Sequence, residues 1–233
     1  MKAKDVQKSL QSVAKPERVE HLQRFFKSGP GEYAEGDMLI GVYVPNARKI
    51  AQQYNTLALG ETKKLLKSKI HEEGFVALLI LVNQFQNGDS KDQETIYNLY
   101  LENTKHINNW DLVDASAHLI IGPYLENKEK KILEKLSKSK ILWERRISMM
   151  ATFSYIKKGK FKTALKIAKI LINDSHDLIH KSVGWMLREI GKRDLAVEEK
   201  FLEKHSTKMP RTMLRYAIER FPKEKYRYYL GKK

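Results

Sequence analysis

Apolar residues recur at steps of three and four along almost the whole chain, the spacing that places them on one face of an α-helix. Val6, Leu10 and Val13 begin this pattern near the N-terminus. The only stretch typical of a strand is GVYVP, residues 41–45, which we interpret as extended chain that enters a helix at Pro45. The sequence therefore predicts an all-α fold.

Five apolar helical segments form an irregular series, with starts 32 to 39 residues apart and another amphipathic stretch before each. The segments begin at His71, Trp110, Leu142, Leu178 and Pro210, and those from Trp110 and Leu142 are predicted to run to residues 121 and 156. Two-helix units of this length favour a curved α-solenoid of HEAT-like helical pairs, in which stacked units leave a concave face for a partner. The alternative is a compact, non-repeating helical bundle, because the segments share little similarity residue by residue.

We predict one repeat domain over residues 1–233. It comprises an N-terminal helical pair at 3–27, a loop at 28–44 and the repeats at 45–233. The loop holds four of the twelve glycines, which is typical of irregular chain. Pro16 suits the first turn of the second helix, because a proline there gives up no helical hydrogen bond.

Charge and composition narrow the classes of partner. Lysine and arginine total 44 against 28 acidic residues, and this excess of +16 attracts nucleic acid, anionic membrane or acidic proteins. The absence of cysteine excludes disulfides and thiolate chemistry. The longest apolar run, residues 75–82, is far below a membrane span, and residues 1–15 lack the apolar core of a secretory signal. We therefore expect a soluble intracellular protein.

The segment NNWDLVDAS, residues 108–116, carries the strongest chemical signal. Trp110 and Asp114 are four residues apart and share a helix face, and Asn108 or Asn109 suits the N-cap. A carboxylate beside an aromatic ring can stabilise a cationic sugar, as in glycosidic bond cleavage. The alternative is a core tryptophan with a solvated aspartate, which is the commoner arrangement at helical spacing.

The segment ILWERRISMM places two arginines side by side. On a helix Arg145 points about 100° away from Arg146, so only one of them can face a concave surface. A guanidinium suits phosphate because its planar fork donates two hydrogen bonds. A surface arginine paired with Glu144 or another acid is equally consistent with the sequence.

The segment HKSVGWMLREIGKR combines a mid-helix glycine with an aromatic–guanidinium pair. Gly184 would let another backbone, or a DNA strand, approach closely. Trp185 and Arg188 lie one turn apart, an arrangement that holds nucleic-acid backbone and sugar. The alternative is a core Trp185, with Arg188 bonded to Glu189 or a carbonyl.

Metal and nucleotide motifs give weaker signals. His176 and His180 have the spacing of metal ligands but lack an acidic third ligand, and HEEG at 71–74 lacks the second histidine of a metalloprotease. Neither the phosphate loop of nucleotide-binding enzymes nor the dinucleotide fingerprint occurs. We expect neither metal nor cofactor.

Taken together, these stretches resemble the AlkD family of DNA alkylation repair proteins. The resemblance runs in order from about residue 20 to residue 230. It is carried by RFFKSGPGEYAEGDMLIGVYVPNARKIA, NNWDLVD, LWERR, HKSVGWMLREIGKR and MPRTMLRYAIERF. A family tyrosine falls at Phe25, which lacks the hydroxyl group and any polar contact that it would make.

The resemblance implies a basic concave cleft for duplex DNA and release of positively charged bases, such as 3-methyladenine and 7-methylguanine. The catalytic aspartate of the family matches Asp114, and its two tryptophans beside the deoxyribose match Trp110 and Trp185. An arginine that contacts the DNA backbone matches Arg146, and Arg188 fits a further phosphate contact. The remaining expected DNA contacts are Arg145, Arg48 and Lys181.

These features together predict a monofunctional DNA glycosylase. The family grips sugar and backbone without extruding the base, and no lysine at the matched positions could form a Schiff base for strand cleavage. We expect a cytoplasmic monomer that associates with the nucleoid when it acts on DNA. The alternatives are a non-catalytic module for damaged or branched DNA and a protein-interaction scaffold, the usual role of HEAT arrays.

Overall fold

The computed structural model describes residues 1–231, and every regular element in that range is helical apart from one isolated bridge, Met38 to Ile70. The prediction of an all-α fold is confirmed. The predicted repeat region extends to Lys233, and its last two residues lie outside the described part of the chain. None of the helices within 1–231 is long and apolar enough to cross a membrane.

The helices form two compact units, Met1–Ser116 and Ala117 onward. The first unit contains α1 (Ala3–Ser12), α2 (Val19–Phe26), α3 (Val44–Gln53), α4 (Leu59–Leu66), α5 (His71–Asn87), α6 (Ser90–Glu102) and α7 (Trp110–Ser116). Short 3-10 turns at Pro16–Arg18 and Thr104–His106 precede α2 and α7. The single-domain organisation expected from the sequence stays a prediction.

Helix α5 is the centre of the first unit and packs against α3, α4, α6 and α7. Its central run GFVALLILV is apolar on nearly every side, and most of the helix is buried, as expected for a helix surrounded by others. Each buried side chain of this kind stabilises the unit by about 1.5–3 kcal/mol relative to exposure. Burial of α5 therefore fixes the position of its first residue, His71, at the edge of the core.

The second unit contains α8 (Ile121–Tyr124), α9 (Lys131–Ser137), α10 (Leu142–Ala151), α11 (Phe153–Ile156), α12 (Lys162–Ile170), α13 (Asp177–Gly191), α14 (Leu195–His205), α15 (Arg211–Ala217) and α16 (Lys223–Gly231). Short 3-10 turns follow α14 and α15. Helix α13 is central here and packs against α10, α12, α14 and α15.

All five predicted segment starts are confirmed to within one residue, at the first residues of α5, α7, α10, α13 and α15. Two segments are shorter than predicted. Helix α7 ends at Ser116, before a turn that leads to α8, and α10 ends at Ala151. The predicted continuous helix from Trp110 to residue 121 is therefore wrong, and the boundary between the two units falls directly after Ser116.

The predicted loop between the N-terminal helices and the repeats is irregular chain between α2 and α3, and α3 begins at Val44, one residue before the predicted Pro45. The Glu72 carboxylate accepts hydrogen bonds from the backbone N–H groups of Ile40, Gly41 and Val42. Gly41 has a φ of 86°, and a Cβ there would lie 2.0 Å from the Lys15 carbonyl oxygen. The end of the loop is therefore fixed to the start of α5.

Candidate functional site

Helix α7 presents Trp110 and Asp114 on a partly exposed face. Both residues are half-buried, whereas Leu112, Val113 and Ser116 on the opposite side are buried. Asn109 precedes the helix, and its Oδ1 accepts a hydrogen bond from the Trp110 N–H at 2.8 Å. Trp110 is therefore not the core tryptophan of the alternative interpretation.

Two phenylalanines of α2 hold the Trp110 indole. Phe25 meets it edge-on at 5.5 Å between ring centroids, and Phe26 stacks on it at 5.7 Å. Phe25 is 53% exposed, so its ring adds an aromatic surface beside the indole that solvent can reach. The phenylalanine that replaces the family tyrosine thus keeps a ring at this position while lacking its hydroxyl group.

A buried histidine ties both ends of the 108–111 segment to α5. His71 Nε2 is 2.8 Å from Asp111 Oδ2, and His71 Nδ1 is 3.5 Å from Asp37 Oδ2. Asp37 in turn accepts a hydrogen bond from Asn108 Nδ2 at 2.7 Å. The Phe26 ring lies 4.6 Å from the imidazole, so the same histidine also contacts the aromatic cluster that holds Trp110.

His71 is a cation at neutral pH. Burial alone would lower its pKa, but the charge and hydrogen bond of Asp111, with those of Asp37, raise the pKa of His71 to about 10. The side chain is only 3% exposed, so water screens the interaction little. The buried imidazolium and the two half-buried carboxylates form a charged network next to Trp110.

Asp114 lies near a second buried group, Tyr100. The Tyr100 hydroxyl shares a hydrogen bond of 2.9 Å with Ser116 Oγ. Burial raises the pKa of Tyr100, and the negative charge of Asp114 raises it further, while the bond to Ser116 opposes the change. Tyr100 is therefore a neutral neighbour of Asp114.

Trp185 belongs to the second unit and is half-buried on α13. Its ring centroid lies 6.1 Å from that of Phe153, over which Lys157 Nζ lies at 4.4 Å. Trp143 in the same unit is only 6% exposed and belongs to the core. The two tryptophans predicted at the site are thus the two that remain partly exposed.

Gly184 allows α13 and α15 to approach closely. A Cβ at this position would lie 2.4 Å from the Met213 carbonyl oxygen and 2.5 Å from Tyr216 Cβ. The sequence predicted that another backbone or a DNA strand approaches this glycine, and the structure places the backbone of α15 there. The close packing fixes the part of α13 that carries Trp185.

The two arginines of α10 both have partners inside the second unit. Arg146 is 5% exposed and donates to the Leu178 carbonyl oxygen at 2.6 Å. Arg145 Nε donates to Asp174 Oδ2, also at 2.6 Å, and its Nη1 donates to the Ser139 carbonyl oxygen. For Arg145 the pairing with an acid, which the sequence allowed, is observed.

The other predicted basic contacts differ in their surroundings. Arg188, an expected phosphate contact, forms an ion pair with Glu219 and not with Glu189, the acid named in the alternative interpretation. Lys181 Nζ is 2.7 Å from Asp177 Oδ2, one turn away on α13. Arg48 is exposed on α3.

His176 and His180 make hydrogen bonds at the N-terminal end of α13. His176 Nδ1 accepts a hydrogen bond from the Leu178 N–H at 3.1 Å, and a ring nitrogen of His180 bonds to the Asp174 carbonyl oxygen. Within residues 1–231 no group of three or more acidic or histidine side chains is arranged to hold a metal ion.

The charged network around His71 is the part of this region that the sequence did not reveal. His71 lies 34 residues after Asp37 and 40 residues before Asp111, so no local periodicity connects the three. The available signals were HEEG, interpreted only as an incomplete metalloprotease motif, and the acidic Asp111 directly after Trp110.

Family membership follows from the sequence as a whole. The model of the DNA alkylation repair enzyme family matches residues 6–221, and the chain therefore belongs to that family. Among curated proteins, none matches the sequence significantly.

Solved structures extend this result to the fold. A predicted DNA alkylation repair enzyme from Enterococcus faecalis superposes with a TM-score of 0.69 at 15% identity, covering 90% of this chain and 97% of that one. AlkD2 from Streptococcus mutans gives 0.55 at 16%, covering 95% and 97%. The smu.31 protein of Streptococcus mutans UA159 gives 0.53 at 16%, covering 92% and 95%. The predicted α-solenoid of helical pairs is confirmed as the fold.

Proposed function

We propose that the protein is a monofunctional DNA glycosylase that removes positively charged N-alkylated purines, such as 3-methyladenine and 7-methylguanine, from duplex DNA. Membership of a DNA alkylation repair family supports this class of substrate. The observation that carries the proposal is the face of α7, on which a carboxylate and an indole are both partly exposed while the opposite side is buried.

The proposed chemistry needs no general acid. A purine alkylated at N3 or N7 already carries a positive charge, so the C1′–N bond breaks with its electron pair leaving on the base, which becomes neutral. Positive charge moves to the deoxyribose, where the Asp114 carboxylate stabilises the oxocarbenium-like state and orients water. The water oxygen bonds to C1′ and releases a proton, which leaves an abasic site.

The tryptophans stabilise the same charge. An indole ring attracts a cation through its negative face, and it does so more strongly where water is excluded. Phe25 and Phe26 support this role for Trp110, because an indole held on two sides loses little freedom when a sugar binds. Trp185 is the proposed second ring. A site that grips the sugar in this way needs no pocket for an extruded base.

Basic residues supply the affinity for the DNA backbone. Arg48 is an exposed guanidinium and can bind phosphate directly. Further proposed phosphate contacts are Arg145, Arg146, Arg188 and Lys181. Each of these side chains has a partner within the protein, so it would bind phosphate in addition to that partner or in its place. The net charge of +16 attracts the polyanion at long range.

The decisive experiment measures release of 3-methyladenine and 7-methylguanine from methylated duplex DNA. Asp114→Asn should lower the rate at least about tenfold, equivalent to about 1.4 kcal/mol of transition-state stabilisation. Glu102→Gln is a matched control, because Glu102 is 67% exposed and makes only a 3.9 Å contact with Lys63. That control should release both bases at the wild-type rate.

The same assay separates the competing functions. If Asp114→Asn releases both bases at the wild-type rate, the proposed role of the carboxylate is wrong. No release by the wild type, with duplex binding intact, would instead identify a non-catalytic DNA-binding module. Circular dichroism of each variant distinguishes a lost carboxylate from a lost fold.

A further inference from the structure

The first unit contains a cavity of about 290 Å³ between α2, α3, α5 and the end of the irregular chain that links α2 to α3. Aromatic and aliphatic side chains form most of its wall, among them Phe25, Phe26, Val42 and Ala47. Neither Trp110 nor Asp114 lines it. Its size is near the lower end of the range for sites that take small molecules, and its wall is typical of them.

One end of the cavity is polar and holds an acceptor without a donor. Asp111 lines the cavity, and its Oδ2 is bound to His71, but its Oδ1 is buried with no hydrogen-bond partner among residues 1–231. A buried carboxylate oxygen without a partner is unfavourable, so a ligand that donates a hydrogen bond there is stabilised.

Two other charged groups in the wall, Glu72 and Arg18, already have partners. Both oxygens of Glu72 accept backbone hydrogen bonds from residues 40–42. Arg18 donates to the Gly41 carbonyl oxygen and lies 3.6 Å over the Tyr43 ring. Asp111 Oδ1 is therefore the carboxylate oxygen of the wall that is left to accept a hydrogen bond from a ligand.

The charges around the cavity favour a cation. Of the charged residues that line it, Glu72 and Asp111 balance Arg18 and His71. Asp37 does not line the cavity but lies 3.5 Å from His71, and it leaves the network around that imidazolium with one negative charge in excess. This sign is opposite to that of the chain as a whole, which carries +16. Aromatic rings add to the preference, because the faces of their π systems attract cations.

We propose that this cavity binds a small aromatic cation that carries N–H donors, of the amidinium or protonated heteroaromatic amine class. An N–H group satisfies Asp111 Oδ1, the positive charge balances the excess carboxylate, and the aromatic part of the ligand packs against Phe25 and Phe26. The cavity contains neither Trp110 nor Asp114, but it shares Phe25 and Phe26 with the support of Trp110. The test measures ligand binding without DNA, so its outcome does not depend on the glycosylase proposal.

Three ligands of nearly the same shape test the inference. Benzamidine is an amidinium cation at neutral pH, benzamide is neutral and benzoate is an anion. Titration followed by ¹³C-methyl NMR should show benzamidine binding with a Kd on the order of 1 mM. The methyl groups of Leu39, Val42 and Val44 in the cavity wall should shift. Benzamide should bind at least tenfold more weakly, and benzoate should leave these methyl groups unshifted.

Two variants test the position without disturbing the buried charges. Phe25→Ala removes a ring that is already 53% exposed, and it should weaken benzamidine binding at least threefold. Ala47→Leu fills the cavity from the α3 side and should abolish the methyl shifts, with an unchanged or raised midpoint of thermal unfolding as the check on the fold. Tyr228→Ala, an exposed ring in the other unit, should bind benzamidine as the wild type does.

Equal binding of the three ligands would overturn the charge argument. Binding that leaves the cavity methyl groups unshifted, or that survives in a folded Ala47→Leu protein, would overturn the location. No detectable benzamidine binding would overturn the proposal as a whole.

Discussion

Gly74 and Gly184 both lie inside long helices, but their surroundings differ. A Cβ at Gly74 would meet nothing within 4 Å outside its own helix, whereas at Gly184 it would meet the backbone of α15. Gly184→Ala should therefore destabilise the protein by about 1–3 kcal/mol through overpacking. Gly74→Ala should stabilise it by about 0.5–1 kcal/mol, because alanine favours the helix. Urea unfolding of the two variants gives the comparison, and equal effects would contradict the close packing of α13 on α15.

Single residues were predictable where local geometry decides their surroundings. The shared face of Trp110 and Asp114 follows from four-residue spacing, and the structure agrees. Periodicity could not separate Trp143, which is in the core, from the other tryptophans, because all three stand in apolar helices. The partner of Arg145 was equally hidden, because Asp174 is 29 residues away in the sequence.

Between elements, His71 joins α5 to the start of α7. His71→Gln should lower the free energy of unfolding by about 1–3 kcal/mol, because it leaves the half-buried carboxylates of Asp37 and Asp111 without the cation between them. Arg24→Gln is the control, since the exposed Arg24–Glu20 pair on α2 is worth about 0.5 kcal/mol or less. Thermal or urea unfolding measures both, and a loss as small as that of the control would contradict the network.

The same histidine gives the stability a dependence on pH. Its pKa is raised from 6.5 to about 10 in the folded protein, so its contribution is fully present below pH 6.5 and is lost as the pH rises toward 10. Burial also raises the pKa of Glu198, from 4.5 to about 8. Ionisation of this group therefore lowers the free energy of unfolding as the pH rises from about 4.5 to 8. The difference between wild type and His71→Gln isolates the histidine, and it should shrink from pH 6.5 to 10. A difference that stays constant over this range would show that the imidazole is not held as a cation.

Helix starts were predictable because apolar periodicity and helix-terminal residues are local signals. The break after Ser116 was not, since every residue from Trp110 to residue 121 is compatible with a helix. Contacts made elsewhere in the second unit shape the chain beyond the break. A Cβ at Gly122, for example, would lie 2.3 Å from the Ala151 carbonyl oxygen, a contact that no local pattern encodes.

For the whole molecule, the excess of positive charge predicts a steep effect of salt on DNA binding. Each phosphate neutralised contributes about −0.9 to the slope of log K against log salt concentration, so we expect a slope of about −3 or steeper. Arg48→Ala should reduce the slope by about one and weaken all duplexes alike. Lys91→Ala, another exposed cation, is the control. Filter binding or fluorescence anisotropy supplies the slopes, and an unchanged slope in Arg48→Ala would remove Arg48 from the proposed contacts.

The unequal burial of the three tryptophans also gives the protein three distinct optical reporters. Trp143, at 6% exposure, should emit at short wavelength and resist quenching by acrylamide until the protein unfolds. Trp110 and Trp185 are partly exposed and should be quenched more readily. A protein that retains only Trp143 would then report unfolding, and one that retains only Trp110 would report events at α7. Fluorescence could thus follow DNA binding and folding separately, without an added dye.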